Sequence, residues 1–220
     1  MVWNCREGWS GLRHFAAGAL LLVLLHGGTS VGTAQEIPVI PDPVPVELEA
    51  ATTAYLVLDM TEAVCAPRPA CVATVPAVAG LLERARAAGV FIVYSGTPTP
   101  GTGTAVLSDL APREGDPMVV SRADKFYATD LHDILQSRGI KTAVIIGTAA
   151  NGAPLYTTFG ATVRGYPVVV AEDAISEDNP FAVTVGRWQV LNQAGVNNPT
   201  NTPLADGRAT LSRTDLISFR

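Results

Sequence analysis

Apolar positions along the chain follow two rhythms. TAYLVLDM (53–60), VFIVYSG (90–96), KTAVIIG (141–147) and YPVVVAED (166–173) are short, nearly continuous apolar runs. That is the pattern of strands buried on both faces of a parallel sheet. VATVPAVAGLLERARAAG (72–89), TDLHDILQSRG (129–139), a stretch from about Asn151 and NPFAVTVGRWQVLNQAG (179–195) instead space their apolar residues as helices do. Two of these stop at Gly89 and Gly139. MVV (118–120) predicts a short strand, and ATLSRTDLISF (209–219) a last strand with a turn of helix. The alternation predicts an α/β fold, a Rossmann-like three-layer α/β/α sandwich with a mainly parallel sheet. Ligands of such sheets bind outside the carboxyl ends of the strands. Asp59, the Ser95–Thr97 turn, the 147–153 turn and Asp173 are expected there.

The amino-terminal part breaks this pattern. Arg6 and Arg13 precede the apolar run AAGALLLVLLHG (16–27), and GGTSVGTA then ends in small residues. The run is of signal-peptide length, too short to span a bilayer comfortably. The expectation is a signal peptide over 1–34, cleaved before Gln35, and a periplasmic or secreted protein. An uncleaved amino-terminal anchor is the alternative. IPVIPDPVPVE (37–47) lies in a Pro-rich, extended leader over 35–47. Residues 48–220 suit one domain with its own core.

The full chain of 220 residues has 15 basic and 20 acidic side chains, a net charge of −5. Loss of Arg6, Glu7 and Arg13 with the leader makes the balance one unit more acidic. This argues against nucleic acid and against an anionic membrane surface after cleavage. Beyond the leader the chain keeps Cys65 and Cys71, in CAPRPAC, and a single histidine, His132. A zinc site of Cys and His lacks ligands. In an oxidising compartment a Cys65–Cys71 disulfide is expected; Cys65 as a nucleophile is the rival reading, and the local sequence offers it no base. His132 lies off the Leu131, Ile134, Leu135 stripe and reads as a surface residue. Phe126 and Trp188 read as core packing rather than pocket lining. TPTPGTGTAVLSDLAPREGDP (97–117) is a long loop of the kind that is often functional. Its TPGTGT lacks the ending that a phosphate cradle needs.

VIIGTAANGAPLYTT (144–158) has the small residues of a strand-to-helix turn, yet no Cys, Ser, His, Asp or Glu stands between Gly147 and Leu155. With YLVLDM, DKFYATDLHDIL, VIIGTAANGAPLYTTFGATVRGY and VVVAEDAIS in this order, the chain resembles the isochorismatase-like hydrolases, often called cysteine hydrolases. The resemblance spans most of residues 53–176. It implies a site built from an Asp that is general acid or base, a Lys that stabilises negative charge and a Cys that attacks a carbonyl. Asp59 matches the Asp. Aligning on FYATDL puts the usual Lys position at Val120; Lys125, nearest the match and with a flexible ammonium that can follow a shifted backbone, is the expected cation, and Arg122 is the alternative, otherwise expected among the substrate-binding residues. The Cys position falls on Ala153, and a methyl group cannot form a thioester.

Members of the family that lack the Cys hydrolyse an enol ether by proton transfer from the Asp, chemistry that needs a raised pKa and a shaped pocket. The resemblance therefore implies a small-molecule hydrolase using Asp59. The backbone of the turn, with Thr148, Ala149, Asn151 and Gly152 as substrate-binding positions, would serve as an oxyanion site. Relatives often have a non-proline cis peptide here, which would be Thr148–Ala149. The plainer readings are that Asp59 caps a turn and that the small residues only let a helix approach the sheet. Metal-binding relatives use Asp-x-His after the first strand, and residues 61–96 contain no His; neither metal nor cofactor is expected. A catalytically inactive small-molecule-binding protein on the same scaffold is the alternative function, and a partner-docking module or homo-oligomer a third.

Overall fold

The computed structural model describes Glu36 and residues 38–220, and its compact unit runs from Pro38 to Arg220. The expected signal peptide lies outside the described residues. Six strands form one parallel sheet: β2 (Thr53–Leu58), β3 (Phe91–Gly96), β4 (Met118–Val120), β5 (Thr142–Thr148), β6 (Val168–Ser176) and β7 (Ala209–Ser212). Their order is β4-β3-β2-β5-β6-β7. The chain builds outward from β2 to one edge, then returns beside β2 and builds to the other. The switch point between β2 and β5 is where open α/β sheets open a crevice.

The alternating faces of β2 show how the sheet divides the core. Tyr55 and Val57 point to a cluster with Val78, Leu81, Leu82 and Ala85 of α2 (Val75–Ala87). Ala54, Leu56 and Leu58 point to the other side, towards Leu131 and Leu135 of α3 (Leu131–Ser137) and Val190 and Leu191 of α5 (Pro180–Leu191). The three layers and the parallel sheet are those the apolar rhythms predict.

Four details depart from the sequence pattern. The helix expected over 72–89 is two: a short α1 (Pro69–Val72), then α2, whose Pro76 sits in the first turn where its missing N–H costs nothing. Part of the Pro-rich leader is stitched to the domain. Val44 donates to the Leu211 carbonyl, and β1 (Val46–Leu48) pairs with β8 (Ile217–Phe219) in a second, two-stranded sheet. Val46 and Leu48 are buried while Glu47 is exposed, an alternation too short to stand out in the sequence. β6 also runs past Asp173 to Ser176 through an irregularity in its pairing with β5. Asp173 is therefore not at the strand end; its carboxylate accepts from the Thr214 N–H and hydroxyl at 2.8 and 2.7 Å. Finally, His132 is half-buried, its Nδ1 3.1 Å from the Tyr166 hydroxyl. Phe126 packs in the core, as expected.

Candidate active site

Three strand ends meet at the switch point. β2 ends at Leu58, and Asp59 turns out of the sheet at φ 56°, a left-handed conformation that Asp adopts more readily than most residues. The neighbouring β5 must come close at this point. Gly147, opposite Leu58, has φ 131°, and a Cβ there would lie 2.0 Å from the Leu58 carbonyl oxygen. Only glycine permits that approach. After it, the Thr148–Ala149 peptide bond is cis, as the family resemblance implies. The turn leads into α4 (Ala153–Thr162), about two residues later than the sequence pattern suggests.

Asp59 is 4% exposed and both carboxylate oxygens are engaged. Oδ2 lies 2.8 Å from Lys125 Nζ, and Oδ1 accepts from the Ser95 hydroxyl at 2.8 Å. Ser95 pairs with Leu58 in the register of β3 on β2, so its hydroxyl sits beside the next residue along. The sequence pattern marks that turn as a strand end but gives Ser95 no role; the parallel register is the signal that would have found it.

Lys125 is the cation that meets Asp59; Arg122 is not. The Lys125 side chain is fully buried, and its ammonium also faces the carbonyls of Gly96, Ser121 and Arg122 at 3.3, 3.0 and 2.6 Å. Three N–H donors serve four oxygens. The ammonium is committed inside the protein, so Lys125 holds Asp59 rather than reaching a ligand. Its loop is pinned to α4. The Lys125 N–H donates to the Thr157 hydroxyl at 3.2 Å, and Gly160 leaves room for Asp124 and Phe126, which a Cβ would meet at 2.6 and 2.8 Å. Burial pushes the Asp59 carboxyl above its usual range, against the opposing pull of Lys125 and Ser95. Burial likewise lowers the Lys125 ammonium, against the pull of Asp59.

A cavity of about 490 Å³ opens above Asp59, lined also by Arg68, Arg122, Thr148, Ala149, Ala153 and the loop from Thr97 to Pro100. Ala153 presents its methyl group where the resemblance places a thiol. Asn151 and Gly152, expected among the substrate-binding positions, are not in the lining. The Gly152 N–H donates to the Ala149 carbonyl at 2.7 Å and the Ala150 N–H to Ser176 at 2.8 Å. The turn's remaining donors next to the cavity are the N–H groups of Ala149 and Ala153, which have no hydrogen-bond partner among the described residues. Cys65 and Cys71 are joined in a disulfide and buried. Their loop carries Arg68 to the cavity, a placement the sequence did not signal. No group of three or more His, Cys, Asp or Glu side chains that could hold a metal ion occurs among the described residues. No helix among them is long and apolar enough to cross a membrane.

Comparison with known proteins bears on the family and the fold. A secreted isochorismatase effector of Verticillium dahliae is 35% identical over 112 residues, 46% of this chain and 59% of that protein. An uncharacterised isochorismatase family protein of Bacillus subtilis is 31% identical over 85 residues, 36% of this chain and 47% of that one. The chain thus spans about half the length of the curated relatives it matches. A crystal structure of a cysteine hydrolase from Pseudomonas syringae shares the fold, with a TM-score of 0.64 and 22% identity, over 79% of this chain and 94% of that one. The model of the isochorismatase domain matches residues 53–197. With that match over more than half its length, the chain belongs to the isochorismatase family.

Proposed function

We propose that this protein is an exported hydrolase that acts on a small molecule by acid chemistry from Asp59, without a thiol. One observation carries the reading: a buried carboxyl group stands on the floor of a cavity whose lining offers a methyl group, Ala153, in place of a nucleophile. An enol ether suits that equipment. Asp59 delivers its proton to the terminal vinyl carbon, and the ether-bearing carbon becomes an oxocarbenium ion. Water adds to that carbon and returns a proton to Asp59. The hemiketal so formed breaks down to a carbonyl compound and an alcohol. Burial favours the protonated Asp59 that the first step needs. The N–H groups of Ala149 and Ala153 are suited to hold an oxygen of the substrate. Lys125 and Ser95 act through Asp59 as positioning residues.

Export rests on the disulfide, which belongs to oxidising compartments, and on the likeness to a relative described as secreted. Fractionation of cells producing the full chain should find the protein outside the cytoplasm with Cys65 and Cys71 oxidised.

The functional test is a panel of enol ethers, amides and esters assayed with wild type, Asp59→Asn and Cys65→Ser. The expected result is turnover that iodoacetamide leaves nearly intact and that Asp59→Asn lowers by at least about 100-fold. An active Asp59→Asn would exclude the acid mechanism, and activity carried by a free Cys65 thiol and blocked by iodoacetamide would make Cys65 the nucleophile. Ligand-induced thermal shifts with no turnover across the panel would make the protein a binder on the same scaffold.

A further inference from the structure

The loop closed by the disulfide has more to explain than its own stability. It joins Cys65 to Cys71, and its middle residue, Arg68, lines the cavity over Asp59. The backbone around Arg68 is fixed from several sides. The N–H groups of Val64 and Cys65 both donate to the Thr61 carbonyl, and that of Arg68 to the Cys65 carbonyl at 2.9 Å. Asp178, beyond the end of β6, accepts from the Ala70 N–H at 3.2 Å. The guanidinium is itself oriented by a hydrogen bond from Nη1 to the Val64 carbonyl. Against this fixed backbone the charge is unmatched: neither Arg68 nor Arg122 pairs with a carboxylate among the described residues. Both line the cavity, and the one acidic side chain in that lining, Asp59, already has Lys125. The cavity therefore carries a local excess of positive charge within a chain whose net charge is −5.

We infer that the disulfide-closed loop is a substrate-binding element, and that Arg68, with Arg122 in the same lining, receives a carboxylate of the substrate. A guanidinium presents paired N–H donors in the plane that a carboxylate accepts. An oxidised loop keeps Arg68 oriented, so less ordering remains to be done on binding. The inference rests on the cavity being the substrate site proposed above. It adds the chemical class of the substrate and a redox condition on its binding.

The probe is the saturated lactyl ether of meta-hydroxybenzoate, a dicarboxylate with no enol ether to be cleaved, compared with its uncharged dimethyl ester by titration calorimetry. Wild type, Arg68→Gln, Arg68→Lys, Arg122→Gln and the Cys65→Ser/Cys71→Ser double variant are compared at one fixed salt concentration. Wild type should bind the diacid at least about tenfold more tightly than the ester, the scale of one charged hydrogen-bonding contact. Arg68→Gln should lose about tenfold for the diacid and change the ester by less than about twofold. Arg68→Lys should fall between. Loss of the disulfide should weaken the diacid and spare the ester. A purely structural role for Arg68 would weaken both ligands alike, and that outcome overturns the inference. So does equal binding of diacid and ester by wild type, or no detectable diacid binding at millimolar concentration. If Arg68→Gln does not fold, Arg122→Gln must show the same selective loss or the inference fails. Arg68-dependent binding of the diacid, with no turnover of the corresponding enolpyruvyl ether, would remove the hydrolase reading and leave this one standing. Turnover that depends on Asp59 but ignores Arg68 would do the reverse.

Discussion

Lys125 and Arg68 are both cations beside the same cavity, and their surroundings differ in every respect. Lys125 is buried, paired with Asp59 at 2.8 Å and surrounded by three carbonyl oxygens. Arg68 is only partly buried, has no carboxylate partner among the described residues and sits on a loop held by a disulfide. The floor of the site is thus saturated with its own contacts, whereas the rim has charge to spare. A saturated group fixes geometry and tunes a neighbour. An unsaturated one is available to a ligand. The floor should therefore respond to mutation mainly in stability and proton chemistry, and the rim mainly in binding.

The largest effect expected from this contrast is on the floor. Lys125→Met strips the ammonium from a buried carboxylate, and breaking such a pair from one side costs about 3–5 kcal/mol. Urea unfolding should show that loss. The double variant Asp59→Asn/Lys125→Met should recover much of it, because no uncompensated charge is left behind. If Lys125→Met unfolds at the wild-type midpoint, the pair is not closed to solvent and the contrast collapses.

The next effect belongs to the rim. The double variant Cys65→Ser/Cys71→Ser frees a short loop, and the chain-entropy model puts the loss at about 2 kcal/mol. That should appear as a lower melting temperature, with the Asp59–Lys125 centre still assembled in the folded protein. An unchanged melting temperature would mean that the bridge contributes nothing to the stability of the fold.

The two regions also differed in how far the sequence revealed them. Apolar rhythm was enough for the layers and the parallel sheet, because strands such as AVII (143–146) are buried on both faces and carry little else. Asp59 was legible because it ends such a strand. Lys125 was preferred over Arg122 from its place beside FYATDL, but what fixes it is which side chain the 121–129 loop folds inward. That is settled by the close approach at Gly160 and the hydrogen bond to Thr157, contacts made across more than thirty residues of sequence. Ser95 was hidden in register, and Arg68 in the direction a short disulfide loop faces. Asp173 misled because an irregular β6 looks, in sequence, like a strand that has ended.

The finest test concerns the proton itself. Burial raises the Asp59 pKa, and Lys125 pulls it back. A carboxyl whose pKa is raised in the folded state binds more protons there than in the unfolded chain. Its contribution to stability is therefore full below the ordinary value of 3.8, and is lost as pH rises through the folded pKa. Lys125 has the opposite shift, a folded pKa below its ordinary 10.5. Its contribution is full above 10.5 and is lost as pH falls through the folded value. Both signs say that holding the two charges buried at neutral pH costs stability. If Asp59 acts as a general acid, kcat/KM should fall as pH rises through its raised pKa, with the midpoint above 3.8. Removing the ammonium in Lys125→Met, assayed at a temperature where the variant is folded, should move that midpoint to higher pH. The same charge removed at the rim, in Arg68→Gln, should move it much less, because that guanidinium does not pair with Asp59. A midpoint that shifts down in Lys125→Met would mean the titrating group is not Asp59, and the division of labour between floor and rim would have to be drawn elsewhere.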